Sequence, residues 1–266
     1  MLNRQDIEKF LKTSYFGRYL YIFPELESTN TFARKLIEEG APEGTVVLAD
    51  YQSAGKGRFG RSWYSSRAVN ILMSLILRPR ITVEAIQNIT MATANILIDS
   101  FHQFLQQVGE NDIAFTVKWP NDILVQGKKI AGILVESGVK NKSVEFVIIG
   151  MGINVNQDVQ ELDTGIKDEA TSFYTETGRT FSRENLIVQL LYNFERKYIE
   201  LERSKYEHVI ADWKKHCAQI GKDVLVETPL LREAGRFIDV DEQGRPIYQT
   251  RDGQVKKLIT GRLKTG

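Results

Sequence analysis

Three glycines, three cations and a tryptophan fall within twelve residues, Gln52-Ser53-Ala54-Gly55-Lys56-Gly57-Arg58-Phe59-Gly60-Arg61-Ser62-Trp63, with no acid among them. The acid-free stretch runs from Tyr51 to Val83 and also holds Arg67, Arg78 and Arg80. Glycines let the backbone turn tightly and approach a ligand closely. Cations in such a loop suit a phosphate or a carboxylate. The indole at its end offers a flat face to a ring. The whole chain carries 35 Lys and Arg against 34 Asp and Glu, a formal net charge of +1. An anion site is therefore local, and no global field favours nucleic acid or an anionic membrane.

Three more stretches hold groups with chemical uses. Lys118-Trp119-Pro120-Asn121-Asp122 places a cation, an amide and a carboxylate where a strand ends, and Pro120 keeps Trp119 out of helical geometry. Alone it reads equally well as a turn with a surface ion pair. Gly150-Met151-Gly152-Ile153-Asn154 follows a buried-type strand. With so little side-chain bulk, its backbone donors can reach a small ligand at the edge of a sheet; the plain alternative is a tight turn. Ser28-Thr29-Asn30 precedes a helical pattern, where Ser28 or Thr29 is first of all an N-cap.

Gly55, Gly57 and Gly60 match G-x-G-x-x-G, but a dinucleotide fold needs a helix straight after the loop and an acid about twenty residues on. Arg61–Ser66 is a poor helix start and the next acid is Glu84. No H-R-D or D-F-G element follows, which excludes a kinase loop. Gly57 after Lys56 stands where a P-loop needs Ser or Thr.

The elements that must carry these stretches are legible from periodicity. A short helix and a loop with Gly17 come first, then a strand over Arg18–Phe23 stopped by Pro24. A helix follows with Phe32, Leu36 and Ile37 on one face, ended by Gly40 and Pro42. Strands are predicted at Thr45–Ala49 and Ile71–Leu77, and a long helix over Val83–Val108. Phe115–Val117 is a strand. Ile123–Val125 pairs with Ile130–Glu136 across a hairpin at Gln126–Lys129, and Phe146–Ile149 is buried. Helices are expected over Arg183–Glu202 and Lys205–His216. The texture then changes to short β pieces at Lys222–Val226, Gly235–Val240, Pro246–Gln249 and Lys256–Ile259, the pattern of a small antiparallel barrel. The boundary falls near Gln219, giving units of 1–218 and 219–266.

The chain has 266 residues, 42% of them hydrophobic, enough for one large domain or two smaller ones. The single cysteine, Cys217, excludes an intrachain disulfide and fits a reducing compartment. No apolar run reaches membrane-spanning length, and Met1–Lys9 has no apolar signal region, so a cytoplasmic protein is expected. His102, His208 and His216 show no metal-ligand spacing, and no metal ligand is assigned.

Taken together and in this order, Ser28–Asn30, Gly55–Trp63, Lys118–Asp122 running on to Lys129-Ile130-Ala131-Gly132-Ile133-Leu134, and Gly150–Asn154 resemble the biotin–protein ligases. The resemblance is close over about Glu25–Asn156. It implies an α/β (α+β) catalytic domain with a mixed β-sheet, binding biotin and ATP, followed by a small SH3-like barrel. With 27 residues before Ser28, it implies the short form without a DNA-binding domain. It also implies a two-step reaction. The biotin carboxylate attacks the α-phosphate of ATP, and a lysine of a biotin-carrier protein domain then takes biotin from the biotinyl-adenylate. Mg²⁺ is the expected companion of ATP, and an exposed sheet edge would suit a homodimer.

Roles follow from the resemblance position by position. Ser28, Thr29 and Gln52 bond the ureido ring of biotin, with Gly132, Gly150 and Gly152 lining the same pocket. Arg58 and Lys129 are the catalytic cations, holding the carboxylate and the α-phosphate, two anions that repel until cations bridge them. Lys56 and Arg61 meet phosphates. Lys56 stands where many relatives have Arg and lacks the bidentate fork. Trp63 covers the adenylate, Asn154 belongs to the same side, and Asn121 and Asp122 serve the phosphate–Mg²⁺ region and the acceptor lysine. The glycine loop becomes a lid with Gln52 at the biotin end and Trp63 at the adenine end, and its glycine content predicts ordering by ligand. A lipoate–protein ligase is the nearest rival, against which the Lys118–Asp122 block and the Gly55–Trp63 loop weigh. A nucleic-acid-binding module is a rival of another class, disfavoured by the balanced charge and the interleaved glycines.

Overall fold

The computed structural model describes residues 1–141, 143–203 and 207–265. A seven-stranded sheet forms its centre, in the order β1(Leu20–Phe23), β2(Val46–Ala49), β3(Ile71–Leu77), β7(Ser143–Ile153), β6(Lys128–Lys140), β5(Asp122–Val125), β4(Phe115–Lys118). β1 and β2 are parallel and every other pair is antiparallel, so the expected mixed sheet is present.

Each face of the sheet has its own cover. On one side lie α3(Ile86–Gln107), α1(Arg4–Phe10) and α4(Arg183–Arg203). Ile89, Ile96, Leu97, Phe101, Phe104 and Leu105 of α3 are all buried, as their spacing predicts, against a cluster that includes Val46, Leu48, Leu75 and Ile149. On the other side, among the described residues, lies the short α2(Thr29–Glu38), whose Ala33 and Leu36 cover Val47, Ile76 and Ile148. Side chains alternate along a strand. The same face therefore continues from Ile76 to Ser74 and from Ile148 to Gly150 and Gly152, with Gly132 opposite Gly152. α2 begins at Thr29. Beyond its N-terminus no helix of the described residues covers the sheet, which there has a glycine floor.

The β5–β6 hairpin turns on Gln126 and Gly127, at φ 49° and 82°. Two successive left-handed residues make the turn that matches strand twist, with glycine at the second. Gly150 and Gly152 correct an expectation. They lie inside β7, paired with β3 on one side and β6 on the other, so the ladder takes their backbone groups and they form no turn. Their contribution is the missing Cβ.

After α5(Glu207–His216) comes a five-stranded antiparallel sheet, in the order β11(Val255–Lys257), β10(Pro246–Thr250), β9(Arg232–Val240), β8(Asp223–Glu227), β12(Arg262–Thr265). The short strands expected here are present as a small β unit. The sheet order ends at β11 and β12, which are not paired with each other among the described residues. β12 was not expected. Lys205, where the last helix was expected to start, lies outside the described residues.

The small sheet is fastened to the large one. The Trp119 backbone N–H donates to Gln219 Oε1 at 2.7 Å and its indole N–H to the Gly244 carbonyl at 3.2 Å. Asn88 of α3 donates to the Glu242 carbonyl, and Lys214 pairs with Asp239 at 2.6 Å. Gln219 is buried, so the change of texture there is a locked joint. Among the described residues no helix is long and apolar enough to cross a membrane.

Candidate active site

A cavity of about 390 Å³ stands on the glycine floor, between the N-terminus of α2, the glycine loop, the start of β6 and β12. Its two ends differ in chemistry. At the α2 end the groups are neutral and bonded to one another. Gln52 Oε1 accepts from the Thr29 backbone N–H at 2.7 Å and from the Thr29 hydroxyl at 3.0 Å. A side chain from the loop thus satisfies one of the open N–H groups at the start of α2. Ser28 holds the N-cap position, but its side chain makes no cap bond, which leaves a buried hydroxyl at the cavity wall. The Ser74 hydroxyl lies 2.7 Å from Thr29 Oγ1 and 2.6 Å from Asn30 Oδ1. With one proton it donates to one of them at a time. Asn30 in turn donates to Glu136 Oε2 at 2.7 Å.

At the other end the groups are charged. Lys129, at the start of β6, pairs with Asp122 at 2.7 Å across the β5–β6 hairpin. Its main chain is clamped as well, donating to the Glu169 carbonyl at 2.7 Å and accepting from the Thr171 N–H at 2.9 Å. Arg58 lies 5.8 Å from the Trp119 ring. Burial pushes the Arg58 pKa down, nearby Asp122 opposes that, and the positive charge of Arg262 adds to it. An arginine guanidinium is effectively always protonated, so Arg58 keeps its charge. Lys118, Arg262 and Lys264 complete the cationic lining, although Lys264 also pairs with Glu227 at 2.8 Å.

Between the ends lies Trp63. A Cβ added at Gly152 or Gly132 would strike its ring, so the indole rests flat on the glycine floor. Lys129 Nζ is 5.2 Å from the ring, within cation–π range. The indole N–H is buried without a partner. The loop folds back on itself through Gly57 N–H to Arg61 O at 2.7 Å and Trp63 N–H to Gly55 O at 2.9 Å. Gly55 sits so close to the Trp63 carbonyl and to Gln52 that a side chain there would meet both.

A wall of neutral donors and acceptors, a flat floor and a converging set of cations will hold a molecule with a polar ring at one end and an anion at the other. The model of the biotin/lipoate A/B protein ligase family matches residues 22–154. The bifunctional ligase/repressor BirA of Bacillus subtilis is 33% identical over 265 residues, covering all of this chain and 79% of its own length. The chain belongs to the biotin/lipoate A/B protein ligase family. Its relatives include the biotin–[acetyl-CoA-carboxylase] ligase of Mycobacterium tuberculosis, 31% identical over 86% of this chain and 82% of that protein. Among solved structures, the biotin protein ligase of Aquifex aeolicus in complex with biotin and ATP is 25% identical, with a TM-score of 0.76 over 93% of this chain and 98% of that one.

Most residues singled out in the sequence of this ligase meet in the one cavity. Ser28, Thr29, Gln52, Lys56, Arg58, Arg61, Trp63, Asn121, Asp122, Lys129, Gly132, Gly150 and Gly152 all line it. Lys56 reaches α2, donating to the Thr31 hydroxyl at 2.8 Å. Asn121 Nδ2 is engaged with the Ile133 carbonyl at 2.8 Å, which ties the Trp119–Asp122 turn to β6. Two expectations are corrected. Asn154 is buried away from the cavity, donating to the Thr171 carbonyl at 2.9 Å, and acts as a strut behind β6. Gln52 and Trp63 do not sit at opposite ends of a lid, because the loop doubles back at Gly55 and brings them to its two sides. The Trp63 ring thereby shares the floor that the resemblance gives to biotin. Sequence reasoning missed Ser74 and Glu136, which back the polar end, and Arg262 and Lys264. The one signal for the last pair is the alternation Arg262-Leu263-Lys264, with Leu263 buried.

Proposed function

We propose that the cavity joins biotin to ATP and passes biotin to a lysine of a biotin-carrier protein domain. The observation that carries this reading is the adjacency of a neutral hydrogen-bonding end and a cationic end on one glycine floor. The ureido ring of biotin is neutral and needs fixed donors and acceptors, which Ser28, Thr29 and Gln52 offer. Its carboxylate then points toward Arg58 and Lys129, where the α-phosphate of ATP must also come. A carboxylate oxygen attacks the α-phosphorus, the bond to the β-phosphate oxygen breaks and pyrophosphate leaves. The amine nitrogen of the acceptor lysine next attacks the biotinyl carbonyl. AMP leaves, an amide forms and the amine proton passes to solvent. No covalent bond to the protein is needed, so the chain supplies position and charge.

Mg²⁺ fits this donor set in one way. Among the described residues no three His, Cys, Asp or Glu side chains are grouped to hold a metal. Asp122 and Glu169 contribute to the lining, and Asp122 is already paired with Lys129. That suits an ion carried mainly by phosphates and water, with Asp122 as its carboxylate. When bound it would neutralise part of the triphosphate charge. We further take residues 1–218 as the catalytic unit and 219–266 as a small SH3-like unit, in a protein that works in the cytoplasm and does not bind DNA.

The test is incubation with ATP, Mg²⁺, labelled biotin and a biotin-carrier domain, scored by label on the carrier lysine. Competition with lipoate separates the two branches of the family. Displacement of biotin by equimolar lipoate would overturn the biotin reading.

A further inference from the structure

The tip of the glycine loop meets the small sheet at the ring of Phe59. Phe59 stands in the left-handed region at φ 58° and is 52% exposed. A bulky residue held at positive φ without burial is not explained by core packing. Its ring is flanked by two guanidinium groups. Arg58 of the loop lies 5.0 Å from the ring centroid, and Arg262 of β12 lies 4.7 Å from it. Both distances are within cation–π range. Arg262 is anchored from behind, since β12 pairs with β8 through Arg262–Glu227 and its neighbour Leu263 is buried. Phe59 is thus the point at which a loop of the large unit is fastened to the last strand of the small one.

Two cations sharing one ring repel each other, and both line the same cavity. An anion lying between them removes that repulsion. We propose that Phe59 and Arg262 form a latch between the glycine loop and β12, tightened by the anionic ligand and holding the acyl-adenylate until the acceptor lysine arrives. The proposal rests on the ligase reading above and adds a positioning residue, Arg262, that acts through Phe59. With the latch broken, Arg58 and Lys129 still serve the first step. The mixed anhydride then leaves early and acylates whatever amine or water it meets, releasing AMP.

The experiment compares Phe59→Leu and Arg262→Ala with the conservative variants Phe59→Tyr and Arg262→Lys. One readout is biotin-dependent pyrophosphate exchange. The second is the rate at which preformed adenylate dissociates, followed by labelling of a bystander protein that is not a biotin carrier. Phe59→Leu is expected to keep exchange within about twofold and to release adenylate about tenfold faster, the scale of one partly desolvated cation–π contact. Phe59→Tyr restores retention and Arg262→Lys restores most of it. The double variant Phe59→Leu/Arg262→Ala leaks no more than the worse single one, because both remove the same contact. Unchanged release in both single variants would overturn the latch, as would a Tyr variant as leaky as the Leu variant. A wild-type protein with no pyrophosphate exchange would instead remove the ligase reading itself.

Discussion

The neutral end of the cavity is finished before any ligand is considered, and the cationic end is not. Gln52, Thr29, Ser74 and Asn30 satisfy one another in a chain of hydrogen bonds along the buried face of the sheet, and the one charge behind them, the Glu136 carboxylate that accepts from Asn30, has its own counter-charge in Arg34 at 3.5 Å. Neutral donors and acceptors can be stored this way because they attract one another. Arg58, Lys118, Lys129 and Arg262 cannot. They come from the glycine loop, the end of β4, the start of β6 and β12, and Asp122 is the acid paired with one of them. Like charges gathered in a half-buried space are stable only with counter-charge. The first end therefore holds a shape, and the second holds a potential that an anion completes.

The sharpest way to break the comparison is Lys129→Ala. Loss of a preorganised charge at the reacting phosphate is worth about a hundred- to a thousandfold in rate. The side chains of the Lys129–Asp122 pair are 33% and 24% exposed, so its removal costs stability no more than about 1 kcal/mol. Biotin-dependent pyrophosphate exchange should collapse while the melting temperature hardly moves. Exchange at the wild-type rate would take the cationic end out of the chemistry. Arg58→Ala comes next, with a smaller loss of exchange, about tenfold or more, and biotin appearing on lysines outside the carrier domain. Unchanged target choice would argue that Arg58 does not hold the adenylate.

At the neutral end the order of effects reverses. Ser74 is fully buried and touches both Thr29 and Asn30 without lining the cavity. Ser74→Ala should lower stability by about 1–3 kcal/mol by leaving buried partners unsatisfied. It should also raise the KM for biotin several-fold while sparing that for ATP. Denaturant melts and the two KM values check this. A shift in the KM for ATP of equal size would mean that the two ends are not separable.

How much of this was legible in the sequence differs between the two ends. The cations were visible because glycine spacing and the missing acids mark the loop, and because Lys118–Lys129 form one hairpin in sequence. The chain Thr29–Ser74–Asn30–Glu136 was hidden. Ser74 is one polar residue in an apolar strand, and only the β3–β7–β6 register places it opposite Gly150, with Leu134 on the far side of that glycine. Gly150 and Gly152 were found as residues but misread as a turn, because absence of bulk looks alike in a turn and on a floor. Arg262 was missed because a four-residue strand carries almost no periodic signal. Asn154 shows the converse, a residue inside a recognisable block that the fold spends on a strut.

The finest test uses salt and needs no mutation. Charges that are partly exposed weaken as the Debye length falls from about 10 Å at 0.1 M to about 3 Å at 1 M, whereas short neutral hydrogen bonds hardly respond. Biotin itself spans both ends, so its affinity alone cannot divide them. Its primary amide can, because it keeps the ureido ring and loses the carboxylate charge. Across that range of potassium chloride, the Kd of biotin should rise by about two- to fivefold through screening of its carboxylate against Arg58 and Lys129. The Kd of the amide should stay flat. Equal salt dependence of the two would place a charge at the ureido end or put the carboxylate elsewhere. A flat response for both would mean that the cations meet only the nucleotide, and would move the boundary between the two ends from the carboxylate of biotin to the α-phosphate.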